Sequence, residues 1–181
     1  LGMENHLEMD SPEQVAHGTT IPIEGTRFML VELPFEFFPL YTEETLFRLQ
    51  IKGLRPIIVH PERNSQIQSN TGILANLVQK GAFSQVTAGS ITGGFGRPAQ
   101  RAARELLRQG LVHIIASDSH SPTGRRVPIL SEGVAAAARL VGKEAAQRMV
   151  EDIPQAILQD SVPDTQGLSQ TVRRRWWPLG R

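Results

Sequence analysis

Four short apolar runs return at an almost constant interval, and that interval constrains the fold more than any other feature of the chain. The runs are Phe28-Met-Leu-Val-Glu-Leu33, Arg55-Pro-Ile-Ile-Val-His60, Phe83-Ser-Gln-Val-Thr87 and Val112-His-Ile-Ile-Ala-Ser-Asp118. Glu32 to His60 is 28 residues, His60 to Ala88 is 28 and Ala88 to Asp118 is 30; 28 residues before Glu32 lies Glu4. Continuous rather than alternating apolar runs suit parallel strands covered on both faces. Helices fit between them. Thr42 can cap a helix with Glu43 and Glu44 in its first turn and Leu46, Phe47 and Ile51 on its apolar face. Thr71–Lys80 and Pro98–Gln109 follow, and the three helices stop before Gly53, Gly81 and Gly110. This repeated βα unit predicts a βα-barrel or an open parallel sheet.

In both architectures ligands collect at the C-terminal ends of the strands. Glu4, Glu32, His60 and Asp118 stand at or just past such ends, with Ala88 at the remaining one. A buried strand needs no ionisable residue there, so four in five units is the main functional signal. Five units are too few for a barrel of about eight strands. The expectation is therefore a chain from which earlier βα units are absent, with a complete open sheet as the alternative. Beyond Ser121 the pattern becomes helical, with Val127–Val141, Lys143–Glu151 and Pro154–Gln159 expected as helices. The expected division is a domain over residues 1–160 and a polar, basic tail over 161–181 ending in Arg173-Arg-Arg-Trp-Trp177.

Composition removes whole classes of function. Lys plus Arg is 19 and Asp plus Glu 18, a net charge of +1, which argues against a nucleic-acid scaffold. The 181 residues contain no cysteine, which excludes disulfides, thiolate metal sites and a cysteine nucleophile. The longest apolar runs, such as Val134–Ala138, fall far short of the ~20 residues of a membrane span.

The candidate site residues mix hard carboxylates with imidazoles. Asp118-Ser-His120 ends a buried strand, where both side chains can reach a metal; otherwise Asp118 caps the next turn and His120 is exposed. In His60-Pro-Glu-Arg63 the imidazole suits Mn, Fe, Zn or Co, and Arg63 suits a phosphate oxyanion. A purely structural account makes Glu62 and Arg63 a surface ion pair. Glu32 needs a cation or a partner such as Arg27 or Arg55, and Glu4 lies in an unassigned terminal segment. Such a donor set suits a multinuclear centre acting at phosphorus. His113 reads as an imidazole of the core or one that supports a ligand without being one, Thr92-Gly-Gly-Phe-Gly96 as a flexible loop, and Phe35, Phe37, Phe38 and Tyr41 as a core patch or a cleft wall.

Gly2-Met-Glu4, Val31-Glu-Leu-Pro34, His60-Pro-Glu-Arg63 and Ala116-Ser-Asp-Ser-His120, in this order and spacing, resemble the strand-end motifs of the PHP (polymerase and histidinol phosphatase) superfamily. The branch they are most similar to is the manganese-dependent protein-tyrosine phosphatases of bacterial capsule and exopolysaccharide operons, the CpsB/CapC/YwqE type. The resemblance implies a distorted (β/α)7 TIM-like barrel, with the first two βα units absent here, and a trinuclear centre. It implies Glu4, Glu32, His60, Asp118 and His120 as metal ligands, Glu4 bridging. Arg63 and Arg125 match positions that hold the substrate phosphate, with Arg126 as a substitute for Arg125. The family's opening H-x-H strand has no counterpart, and neither His6 nor His17 has that spacing. The implied cofactor is Mn2+, with Fe, Zn or Co as alternatives. The implied partner is a phosphotyrosine protein such as a bacterial tyrosine kinase, in the cytoplasm, with no nucleic acid, no membrane insertion and homo-oligomerisation left open. The alternatives are a small-molecule phosphatase such as histidinol-phosphatase, or a non-catalytic relic acting as an interaction module.

Overall fold

The β-branched and apolar runs form the strands of one parallel sheet. The computed structural model describes residues 2–123 and 126–169. Its strands are β1 (Glu4–His6), β2 (Phe28–Glu32), β3 (Arg55–Val59), β4 (Phe83–Thr87) and β5 (Ile114–Ala116). All pairs are parallel and the spatial order is β1-β2-β3-β4-β5, the same as the chain order. The register keeps the C-terminal ends level: His6 lies beside Glu32, Glu32 beside Val59, and Val59 beside Gln85. Residues that leave neighbouring strands at this edge therefore meet. Closure into a barrel is not part of what these five strands display.

Consecutive strands are joined by helical segments. These are α1 (Ser11–Ala16), α2 (Thr42–Ile51), α3 (Ser65–Ser69), α4 (Gly72–Gln79), α5 (Ala88–Thr92) and α6 (Arg97–Arg108). After β5 come α7 (Ser131–Val141), α8 (Lys143–Arg148) and α9 (Asp152–Leu158). Phe28, Val31, Ile58, Val86 and Ile115 of the sheet are buried with Leu49, Leu74 and Leu106 of the helices, and with Met149 just after α8, in one core. In β3, Pro56 to Val59 are all buried, which is why that run is apolar on both faces.

Several expectations need correction. Thr42 does not cap α2: Tyr41 occupies that place without a side-chain cap, and Thr42 is a buried first-turn residue. The capping side chain is Asn64, whose Oδ1 accepts from Gln66 N–H and Ile67 N–H and starts α3, a helix the periodicity did not predict. The Val127–Val141 helix begins only at Ser131, and β5 is shorter than its apolar run. Thr92 ends α5, so the glycine-rich segment is partly helical. Of the expected tail, residues 161–169 are described and pack on the domain: Leu168 is buried in the core, and Arg148 donates to the carbonyls of Asp164 and Gln166. Arg173–Trp177 lies outside the described residues. None of the described helices is long and apolar enough to cross a membrane.

A candidate metal centre beside a candidate phosphate site

Glu4 opens β1, Glu32 ends β2, and His60 follows β3. Glu4 therefore stands at the start of its strand and not at the end the interval predicted; its register partner is Leu30, two residues before Glu32 and on the same face, so the three side chains still converge. One ligand atom from each lies within 4.8 Å of the others. His60 Nε2 is 3.2 Å from Glu32 Oε1 and 3.8 Å from Glu4 Oε2. The imidazole is buried, whereas the Glu4 carboxylate is still 31% exposed, so the cluster opens to solvent on that side. Two carboxylates and an imidazole at this spacing fit the donor set of a first-row divalent cation. His60 has φ 34°, in the left-handed region that costs a side-chain-bearing residue energy, and the chain turns there into a 3-10 turn over Pro61–Arg63.

His6, set aside for lacking H-x-H spacing, is not one of the three but touches one of them. Its Nδ1 is 2.9 Å from Glu32 Oε2. The signal was available: residues two apart on a strand share a face, so Glu4 and His6 point the same way. Glu32 is thus held by two histidines, and not by Arg27 or Arg55. Arg27 instead pairs with Asp160.

Asp118 and His120 form a second group. His120 Nδ1 lies 3.0 Å from the Asp118 carbonyl and 3.5 Å from its carboxylate. Among the described residues they do not join the three-residue cluster. The Asp118 carboxylate, almost fully buried, is paired with the guanidinium of Arg63 and lies 2.7 Å from Arg126 Nη2. Asp118 also has a positive φ, 52°. The two strand-end residues that leave β3 and β5 toward the site are therefore both strained.

Arg63 ties the two halves together. Its Nη2 donates to Thr87 Oγ1 at 3.2 Å and to Asp118, and its guanidinium lies 3.9 Å over the Phe95 ring. Its Nε is buried without a hydrogen-bond partner. Arg63, Arg126, Phe35, Phe95 and Gln68 line a cavity of about 340 Å³. Two guanidinium groups and two aromatic rings thus line one cavity, a lining with the chemistry to take a phosphate beside an aromatic ring. Arg125, expected here, lies outside the described residues, and Arg126 occupies the arginine position beside Asp118. Phe35 and Phe37 are exposed, whereas Phe38 and Tyr41 pack on the core, so the aromatic cluster divides between wall and core.

Glu62 is the residue that sequence reasoning placed wrongly. It is fully buried rather than paired with Arg63 at the surface. Its Oε1 accepts from Thr87 N–H at 3.0 Å, fastening the turn after β3 to the end of β4. Burial pushes its carboxyl pKa up. His113 precedes β5 at the opposite end of the sheet, so it serves the core and not the site. Its Nδ1 accepts from Ser84 N–H, and burial lowers its pKa to about 4.

This arrangement matches known proteins. The model of the capsular polysaccharide synthesis CpsB/CapC family matches residues 1–159. The tyrosine-protein phosphatase YwqE of Bacillus subtilis is 38% identical over 120 residues, covering 66% of this chain and 47% of YwqE. CapC of Staphylococcus aureus is 42% identical over 103 residues, covering 57% of this chain and 40% of CapC. The chain thus spans less than half the length of either relative. It also superposes, with a TM-score of 0.85 and 31% identity, on a chain from the crystal structures of YwqE and of CpsB from Streptococcus pneumoniae, described as metal-dependent tyrosine phosphatases. That match covers 95% of this chain and 69% of the other. With a family model matching nearly the whole described fold, this chain belongs to the CpsB/CapC family of capsular polysaccharide synthesis proteins.

Proposed function

We propose that this chain is part of a metal-dependent protein-tyrosine phosphatase of capsular or exopolysaccharide synthesis. The observation that carries the proposal is the convergence of Glu4, Glu32 and His60 beside the paired arginines 63 and 126. Its frame is the seven-unit barrel implied by the motifs, of which five consecutive parallel strands are described. Its substrates are phosphotyrosine proteins, with a bacterial tyrosine kinase as the partner, and it acts in the cytoplasm.

In this proposal Glu4, Glu32 and His60 hold a divalent cation, Mn2+ first, and Asp118 and His120 add ligands to a multinuclear centre. When bound, such a centre supplies Lewis acidity toward water and a phosphoryl group. The residues do the rest. Arg63 and Arg126 offer forked donors to the phosphate oxygens, and Phe35 and Phe95 flank the aromatic ring. Asp118 holds the two guanidinium groups side by side against their mutual repulsion. His6 and His60 orient Glu32. The chain contains no cysteine, so it cannot supply a thiolate nucleophile.

Calorimetric titration of the chain with Mn2+, and turnover of a phosphotyrosine peptide against histidinol phosphate, test this. Binding that weakens at least ~10-fold in His60→Ala, with preference for the peptide, is expected. Preference for histidinol phosphate would move the assignment to a small-molecule phosphatase. Binding unaffected by His60→Ala would reject the proposed centre.

A further inference from the structure

The net charge of the chain is only +1, yet one helix concentrates arginine on one face. Arg97, Arg101, Arg104 and Arg108 of α6 recur at intervals of 4, 3 and 4 residues, a single helical stripe. Together with Gln68 and Gln100 they line a groove of about 530 Å³. Arg97 and Arg101 are exposed and make no ion pair or hydrogen bond among the described residues. Arg104 donates to the Ile91 carbonyl, and only Arg108 meets a carboxylate, Glu105 at 3.6 Å. The groove adjoins the candidate phosphate site: Gln68 lines both it and the cavity of Arg63 and Arg126.

We propose that this groove docks an extended acidic peptide segment flanking the phosphotyrosine of the protein substrate. The inference rests on the phosphatase proposal for what occupies the cavity, but the groove has its own chemistry. Unpaired guanidinium groups take carboxylates through forked donors. Successive arginines of the stripe are separated by about 4.5–6 Å along the helix axis. Alternate side chains of an extended peptide repeat every ~6.6 Å, so Asp or Glu at every second position brings successive carboxylates within reach of the long, flexible arginine side chains. The stripe is about 16 Å long, which accommodates about five extended residues. A stripe this short and confined to one groove fits a peptide better than a duplex or a membrane, which need a broad basic face.

The test uses the whole chain and fluorescence anisotropy with labelled ten-residue peptides. One peptide carries phosphotyrosine with glutamate at alternate positions on both sides. A second has glutamine in place of every glutamate, and a third has unmodified tyrosine among the glutamates. The acidic phosphopeptide is expected to bind about tenfold tighter than its glutamine counterpart. Arg97→Gln/Arg101→Gln is expected to abolish that tenfold difference and leave the glutamine phosphopeptide within about twofold of its original affinity. Both positions are exposed, and an unchanged circular dichroism spectrum verifies folding. Binding that follows the glutamates and the two arginines but ignores the phosphate would uphold the groove and count against the phosphatase proposal instead. Equal binding of the acidic and glutamine phosphopeptides, or a double variant that keeps the difference, would overturn the inference. Tighter binding of a DNA duplex or a phosphatidylserine vesicle, lost in the same double variant, would overturn it in favour of that partner.

Discussion

Glu62 and His113 are two buried ionisable residues with opposite jobs. Burial raises the Glu62 carboxyl pKa, and the structural task of the side chain is to accept from Thr87 N–H. Glutamine can do the same. Glu62→Gln should cost less than about 1 kcal/mol, whereas Glu62→Ala leaves an unpaired N–H and a cavity and should cost about 2–4 kcal/mol. Urea unfolding of the two variants measures this, and equal losses would show that the hydrogen bond carries nothing. His113 governs acid sensitivity. Its Nδ1 must be unprotonated to accept from Ser84 N–H, and its folded pKa falls to about 4 from 6.5. The unfolded chain therefore binds the proton first. The stability it contributes is complete above pH 6.5 and is lost as the pH falls through 4, on the order of 3 kcal/mol. His113→Asn keeps an acceptor without the titration, and its unfolding free energy should lose that part of the pH slope. At this scale the sequence marks residues better than roles. His60 and Asp118 stood out because nothing in an apolar strand calls for them. The burial of Glu62 is set by a 3-10 turn whose path depends on the next strand, and no local pattern encodes that.

Elements were readable where periodicity had room to repeat. The strands β2, β3 and β4 and the long α6 follow from runs of five to twelve residues. The short α3 and α5 did not, since five residues hold little more than one turn and tertiary contacts decide their state. Asn64 shows how: besides capping α3, its Nδ2 donates to the Pro34 and Phe37 carbonyls, bonds that exist only once two distant loops meet. The α5–α7 contact is equally invisible in the sequence. A Cβ at Gly133 of α7 would lie 2.4 Å from Ala88 Cβ and 2.7 Å from its Cα, so α7 sits on α5 only because glycine is there. Gly133→Ala should destabilise the protein by about 1–3 kcal/mol despite the better helix propensity of alanine. Thermal unfolding checks it, and a stabilised variant would mean that the two helices are free to part.

For the whole molecule, the same edge of the sheet carries both order and repulsion. Parallel strands in chain order bring successive strand ends together, which is why the meeting of Glu32 and His60 could be anticipated from a 28-residue interval, whereas Glu4 joins them from the start of β1. That convergence also sets Glu4 and Glu32 close to each other, with histidines rather than cationic side chains to offset them among the described residues. Like charges this close raise the free energy of the folded chain until a cation joins them. Mn2+ that binds the folded chain alone should add about 2.7 kcal/mol at a hundredfold excess over its dissociation constant. For a domain of this size that amounts to roughly 5–10 °C in Tm, reversed by a chelator. Glu32→Gln should do two things together: raise the Tm of the metal-free protein slightly and remove most of the Mn2+ shift. Differential scanning calorimetry of both forms, with and without Mn2+, separates this from a general salt effect, for which Ca2+ at equal ionic strength is the control. If the variant keeps the full shift, the cation sits elsewhere and the repulsion at the strand ends is relieved by the histidines alone.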